Sequence, residues 1–231
     1  MAFFDMPRIP EPEVMDDSSE VEAYSSAAAQ TYLNAVDDTL VEHALRLVKG
    51  RERGCALDIG TGPGQIVTKI ARRLAQWKFI GVDRSPGMIE QAQANVTSEG
   101  GELASRIDFQ VADGNCLPFP DGSFNLVLCN SVLHHLAEPK KLLSEMARLA
   151  GSGGAILLRD LRRPGRFTCA LHIRWHGRHY SGVMYRLYGD SVRSAYTVHE
   201  LKRLADSAAL PGARVFEHHF THIGLERPVA S

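Results

Sequence analysis

Leu57-Asp58-Ile59-Gly60-Thr61-Gly62-Pro63-Gly64-Gln65 decides the fold of this chain. An apolar run enters a loop with glycine at every second position, and Ile66, Ile70 and Leu74 then recur at helical spacing, which predicts a helix over 65–76. Glycine lets the backbone turn sharply and lets a ligand approach the main chain closer than a Cβ would allow. The start of the following helix offers N–H groups that have no intrahelical partner. Nineteen residues beyond Gly64, a second apolar run, Phe79-Ile80-Gly81-Val82, closes on Asp83. An acidic side chain at the end of the second strand is placed to accept hydrogen bonds from ribose hydroxyls. The chemistry suggested is nucleoside binding. Dinucleotide folds write this loop as G-x-G-x-x-G, whereas this chain writes G-x-G-x-G after Leu-Asp.

Outward from this centre the sequence alternates strand and helix. Apolar runs predict strands over 55–59, 79–82, 107–111, 124–129 and 155–158. Pro86 suits the first turn of a helix from Ser85 to about 97, and a further helix is read over 139–149, ended by Gly151-Ser152-Gly153-Gly154. Thr197-x-x-Glu200 reads as a capping box for a late helix, and 214–220 and 222–226 read as an antiparallel hairpin at a sheet edge. Residues 1–17, rich in proline and acid, read as an irregular arm, and 19–49 as one or two helices capping the sheet. Near-continuous apolar strands in βα alternation predict a parallel sheet covered on both faces.

At 231 residues and 44% hydrophobic, the chain suits one large α/β domain. A net charge of −1 argues against general nucleic-acid affinity, leaving room for a local patch only. Cys55, Cys116, Cys129 and Cys169 form no C-x-x-C pair and read as thiols in a reducing compartment. No apolar window is long enough to span a membrane and the first residues do not read as a leader, so the expected location is cytoplasmic.

The glycine loop resembles motif I of the class I S-adenosylmethionine-dependent methyltransferases. Ala112-Asp113-Gly114-Asn115 through Leu126-Val127 looks like that family's second conserved block, and Ser131-Val132-Leu133-His134-His135-Leu136 like the segment after strand four in its UbiE-like small-molecule branch. The resemblance implies a three-layer αβα sandwich, a seven-stranded, mostly parallel Rossmann-like sheet whose last strand is antiparallel. It frames 1–231 as one methyltransferase domain: 1–50 arm and capping helices, 51–160 cofactor-binding core, 161–196 Arg/His-rich insertion as substrate cap, 197–231 terminal helix and hairpin. It implies S-adenosylmethionine as cofactor and S-adenosylhomocysteine as product. Gly60, Thr61, Gly62 and Gly64 would face the methionine part, with Asp58 holding the loop and the cofactor's amino group. Asp83 would bind the ribose, Arg84 and Met88 would lie beside the adenosine, Asp113 with Gly114 or Asn115 would read the adenine edge, and Asn130 would contribute near the sulfonium. His134 or His135 would be the base or acceptor-orienting residue, and Tyr24 a lid residue.

The acceptor is less legible. Arg159, Arg162 and Arg163 head an arginine-rich insertion that reads either as a rim recruiting an anionic small-molecule acceptor or as a solvated surface balancing the acidic arm. His172, His176 and His179 sit at helical spacing, with His218, His219 or His222 as a conceivable further metal ligand. Histidines without cysteine or carboxylate in register read more readily as packing, so no metal is assigned. Quinone C-methyltransferases typically carry Leu-Arg-Asn where this chain has Leu133-His134-His135. A nicotinamide-dependent oxidoreductase and a non-catalytic cofactor-binding module are the alternatives. Oligomeric state is not readable from the sequence.

Overall fold

In a computed structural model of the chain, residues 6–11, 31–208 and 210–229 are described. The elements are α1 Thr31–Leu47, β1 Gly54–Ile59, α2 Gln65–Arg73, β2 Trp77–Asp83, α3 Pro86–Glu99, β3 Ile107–Val111, β4 Leu126–Asn130, α4 Pro139–Ala150, β5 Ala155–Leu161, α5 Cys169–His176, α6 Gly182–Ser194, α7 Val198–Ser207, β6 Arg214–His218 and β7 His222–Arg227. The sheet runs β3-β2-β1-β4-β5-β7-β6. β1 to β5 pair in parallel, and β7 is antiparallel to both neighbours. This is the mostly parallel αβα sandwich with a reversed last strand.

Period-two alternation sends successive strand residues to opposite faces. Leu57, Ile59, Val127, Cys129, Ile156 and Leu158 face one core with Leu142, Leu143 and Met146 of α4 and Leu201 of α7. Ala56, Phe79, Leu126, Leu128, Ala155 and Leu157 face the other, with Leu40 and Ala44 of α1, Val67 and Ile70 of α2, and Ala92 of α3. Strand order reverses between β1 and β4, the switch point beyond whose carboxyl ends open α/β sheets hold ligands.

Four boundaries differ from the sequence expectation, each for a tertiary reason. The helix predicted over 65–76 ends at Arg73, because Trp77 is fully buried as the first residue of β2. β5 runs three residues past Leu158, because β7 supplies partners as far as Leu161↔His222. The terminal hairpin is not wholly at the edge: β7 lies inside the sheet and only β6 is terminal. The irregular 161–196 stretch contains two helices, α5 and α6, whose Cys169, Ile173, Tyr188 and Val192 form a small core of their own, with Met6 packed against it. All four cysteines are free; Cys129 and Cys169 are buried and Cys116 is exposed.

The capping box of α7 is present, with the Glu200 carboxylate accepting from Thr197 N at 2.8 Å. The same carboxylate accepts two bonds from the buried Arg163 guanidinium, at 2.7 and 2.9 Å. Thr197→Ala removes one cap and should cost about 1 kcal/mol, a fall in thermal midpoint of about 2–4 °C. Glu200→Ala removes both arms and strands a buried guanidinium, so its midpoint should fall clearly further. Equal midpoints for the two variants in a thermal melt would contradict this account.

Candidate active site

The glycine loop is built by backbone geometry. Gly60, Gly62 and Gly64 have φ of 72°, 53° and 78°, a region that side-chain-bearing residues rarely adopt. Gly60 N and Thr61 N both donate to Val82 O, at 2.8 and 3.0 Å, which joins the end of β1 to that of β2. A Cβ on Gly60 would collide with Val132, and one on Gly64 with the Phe109 ring and Ala92. Gly64 therefore serves the packing of α2 against β3 and α3, and lines neither of the pockets described below.

Asp83 ties the loop to the next helix. Its Oδ2 accepts from Gly62 N at 2.9 Å and its Oδ1 from Ser85 N at 3.0 Å, while Ser85 caps α3 through Met88 N. Asp58, at the end of β1, accepts from the Thr61 hydroxyl at 2.9 Å. Burial raises the Asp58 pKa to about 6, and burial raises that of Asp37 on α1 to about 6 as well. In both, the folded chain holds the proton more tightly than the unfolded chain does. The resulting stability is complete below the ordinary carboxylate range and is lost as pH rises through about 6.

Two pockets meet over this loop and share Gly60, Gly62, Asn130, Ser131 and His135. The first is lined by Asp83, Arg84, Met88, Asp113, Gly114 and Asn115, with Ile59, Val82, Val132 and Leu142 as apolar walls. Asp113 Oδ1 accepts from Asn115 N at 2.9 Å and from its Nδ2 at 3.0 Å, leaving the buried Asn115 Oδ1 without a hydrogen-bond partner. The second is lined by Asp37, Asp58, Thr61, His134, Arg159 and His222, and roofed by Tyr180, Met184, Leu187 and Tyr188 from α6 and the turn before it. Burial pushes His222 down to about 3, so it is a neutral imidazole there. Ser131, at the junction, holds φ of 57°, an unusual conformation for a residue with a side chain and one concentrated at functional sites.

His134 and His135 form a single 3₁₀ turn after β4, with their rings 4.0 Å apart. His134 is buried; its Nδ1 lies 2.6 Å from Asp160 Oδ1 and its backbone N–H donates to Asp160 Oδ2 at 2.9 Å. Burial opposes charge on this imidazole, but the adjacent Asp160 carboxylate outweighs it and the pKa is raised. Residues 6–11 cross this place: Arg8 donates to His134 O and Ser194 O, and Glu11 accepts from Ser191 and Ser194.

Of the residues singled out in the sequence, the structure gathers all the proposed cofactor residues except Gly64 around the two pockets, together with both histidines. Tyr24 lies outside the described residues. The arginine rim is corrected for Arg162 and Arg163, while Arg159 lines the second pocket. Arg159 turns inward, donating to Asn130 Oδ1 at 3.0 Å and to Val36 O and Thr39 Oγ1 at 2.9 Å, as a strut between β4, β5 and α1. Arg162 pairs with Glu217 and Arg163 with Glu200, and no arginine of 161–196 lines either pocket. His172 and His176 have rings 4.6 Å apart, but the His172/His176/His179 set does not converge as a metal-ligand group among the described residues. Sequence reading misses Glu11, Asp37 and Asp160: one falls in the irregular arm, another inside a capping helix, and Asp160 stands among the arginines with no pattern to mark it.

Residues 57–158 match the family model of a methyltransferase domain. The chain is 36% identical over 103 residues to an ajmaline N-methyltransferase of Rauvolfia serpentina, covering 44% of this chain and 34% of that protein. It is 30% identical over 157 residues to a demethylmenaquinone methyltransferase of Porphyromonas gingivalis, covering 68% and 63%. It thus spans less than two thirds of either relative. Its fold resembles the plantazolicin methyltransferase BpumL solved with S-adenosylhomocysteine, at a TM-score of 0.69, 14% identity, and coverage of 93% of this chain and 91% of that one.

Gly60→Ala should lower the thermal midpoint, from the positive φ and the collision with Val132 together. Adding Val132→Ala removes the collision, so the double variant should lose less than the two single losses summed. Simple additivity would mean that the collision plays no part.

Proposed function

We propose that the chain is a class I S-adenosylmethionine-dependent methyltransferase that transfers a methyl group to a small molecule held in the chamber under α6. One observation carries the reading: the two pockets share a floor at Gly60–Gly62 and Asn130–Ser131, so a nucleoside half opens directly into an acceptor half.

The first pocket fits the cofactor's adenosine. Asp83 offers acceptor oxygens for ribose hydroxyls, the orphaned Asn115 Oδ1 suits the adenine amino group, and Met88 and Leu142 supply apolar surface for the base. Gly62 presents a wall without side chain to the methionine part, and Asp58 lies on that side for the cationic amino group. Bound S-adenosylmethionine supplies an electrophilic methyl group with a good leaving group. The chain then contributes alignment and exclusion of water. Tyr180, Met184, Leu187 and Tyr188 close the acceptor half, and His135, which lines both halves, orients the acceptor atom.

The chamber's charge argues against an anionic acceptor. Among the described residues its one arginine, Arg159, is engaged by Asn130, Val36 and Thr39 and lies 3.7 Å from the Asp37 carboxylate, while Asp58 adds a second carboxylate to the space. A neutral or amine-bearing acceptor with an apolar body fits better. The two relatives named above differ in acceptor, so they support the reaction type more than any one substrate.

Calorimetric titration with S-adenosylmethionine and S-adenosylhomocysteine tests the assignment. Wild type should bind both, and Asp83→Ala should lose about 10–100-fold, the range for hydrogen bonds to a charged group. Folded wild type that binds neither would overturn it.

A pH series tests Asp58. A cation favours the ionised carboxylate, so S-adenosylmethionine affinity should fall as pH drops below about 6, by up to about tenfold per pH unit. Binding near that pH should release a proton. Asp58→Asn should flatten the profile; an unchanged slope would remove Asp58 from the amino-group site.

A further inference from the structure

We infer that Glu11, His134 and His135 form a binding site for a divalent first-row transition-metal ion, zinc being the first candidate. The three side chains come from two parts of the chain: Glu11 from the N-terminal segment, and the two histidines from the turn after β4. One ligand atom from each lies within 4.8 Å of the others. Glu11 Oε2 is 3.9 Å from His134 Nε2 and 3.8 Å from His135 Nδ1.

The decisive atom is His134 Nε2. It is buried and has no hydrogen-bond partner. The Asp160 carboxylate, 2.6 Å from Nδ1, fixes the ring hydrogen on that side and leaves a lone pair on Nε2. Glu11 Oε2 lies 3.9 Å from that nitrogen, and the His135 ring lies against the His134 ring with centroids 4.0 Å apart. A positive centre relieves such a cluster of donors, and either a proton on Nε2, which the raised His134 pKa favours, or a metal ion supplies it. Were Nε2 protonated instead, its hydrogen would face Glu11 across 3.9 Å, beyond hydrogen-bond reach.

The surroundings agree in charge and in arrangement. Glu11 and Asp160 bring two carboxylates, against one guanidinium, that of Arg8, which is bound to two carbonyl oxygens and stacked on Tyr196. Asp160 behind His134 forms the carboxylate–histidine–metal arrangement that sets ring orientation and raises ligand basicity. Two imidazoles and one carboxylate suit zinc, iron, nickel or copper rather than magnesium or calcium. Ligand atoms about 2.0 Å from a tetrahedral zinc lie about 3.3 Å apart, so Glu11 must close by about half an ångström and the two imidazole nitrogens, within 4.8 Å of each other, by up to about 1.5 Å. A bound ion would clamp residues 6–11 beside the acceptor chamber. The inference does not rest on the methyl-transfer reading, since it is argued from the three side chains' own geometry, although His135 also lines both pockets.

The test is equilibrium dialysis of the chelator-stripped full chain against zinc, with metal analysis, and cobalt(II) visible absorption as an independent readout. Wild type should hold one ion per chain. His134→Ala and Glu11→Gln should abolish binding, and Asp160→Asn should weaken it by about 10–100-fold. Circular dichroism checks each fold; if His134→Ala is unfolded, Glu11→Gln decides. Failure of wild type to bind zinc, or binding that survives Glu11→Gln, overturns the site. Absence of zinc binding together with an activity–pH profile displaced by Asp160→Asn would also overturn it, and would mark His134 and Asp160 as a proton-handling pair. Because S-adenosylmethionine titration is scored separately, loss of one reading leaves the other standing.

Discussion

Two N–H groups, of Gly60 and Thr61, converge on the carbonyl oxygen of Val82, and much of the cleft follows from that junction. It stops β1, turns the chain through a conformation that only glycine adopts without strain, and sets the end of β2 beside it. Asp83 is thereby delivered to the loop, where its two oxygens fix Gly62 and the start of α3. A loop held at its entry by a strand carbonyl and at its middle by a carboxylate is ordered before any ligand arrives. Little conformational entropy is left to be lost on binding there.

The nucleoside half of the cleft was legible in the sequence because its information is local. Glycine spacing, a strand-ending acid and a capping serine each announce themselves within a few residues, and β1, β2, α3 and β3 fall close to where the periodicity puts them. Parallel strands buried on both faces are also written plainly, as unbroken apolar runs. Where the reading slipped, at the end of α2 or of β5, the deciding partner lay far along the chain: Trp77 claimed by the sheet in one case, β7 in the other.

The acceptor half was less legible for the same reason inverted. A count of arginines treats each guanidinium as a free charge, whereas Arg159, Arg162 and Arg163 each find partners between 37 and 123 positions away. Their sign says nothing about the acceptor once those partners are known. Glu11 and Asp160 were invisible in the opposite sense: no pattern marks an acid in a proline-rich arm, or one at the end of a strand, as the neighbour of a particular histidine.

The position of β7 has a consequence for how the polypeptide reaches this state. Five parallel strands can assemble in order as the chain is made, but the flank of β5 is completed only by residues 222–227, which arrive after α5, α6 and α7. Until then β5 is an open edge, apolar from Ala155 to Leu158, with unpaired hydrogen-bonding groups, the kind of edge that recruits strands from other molecules. The separation between β5 and β7, 61 to 71 positions, is comparable to the 70 between β1 and β4, so this closure is the second long-range pairing that the sheet requires. Premature termination before β7 would therefore yield a chain that holds every residue of the nucleoside pocket and is still prone to aggregate.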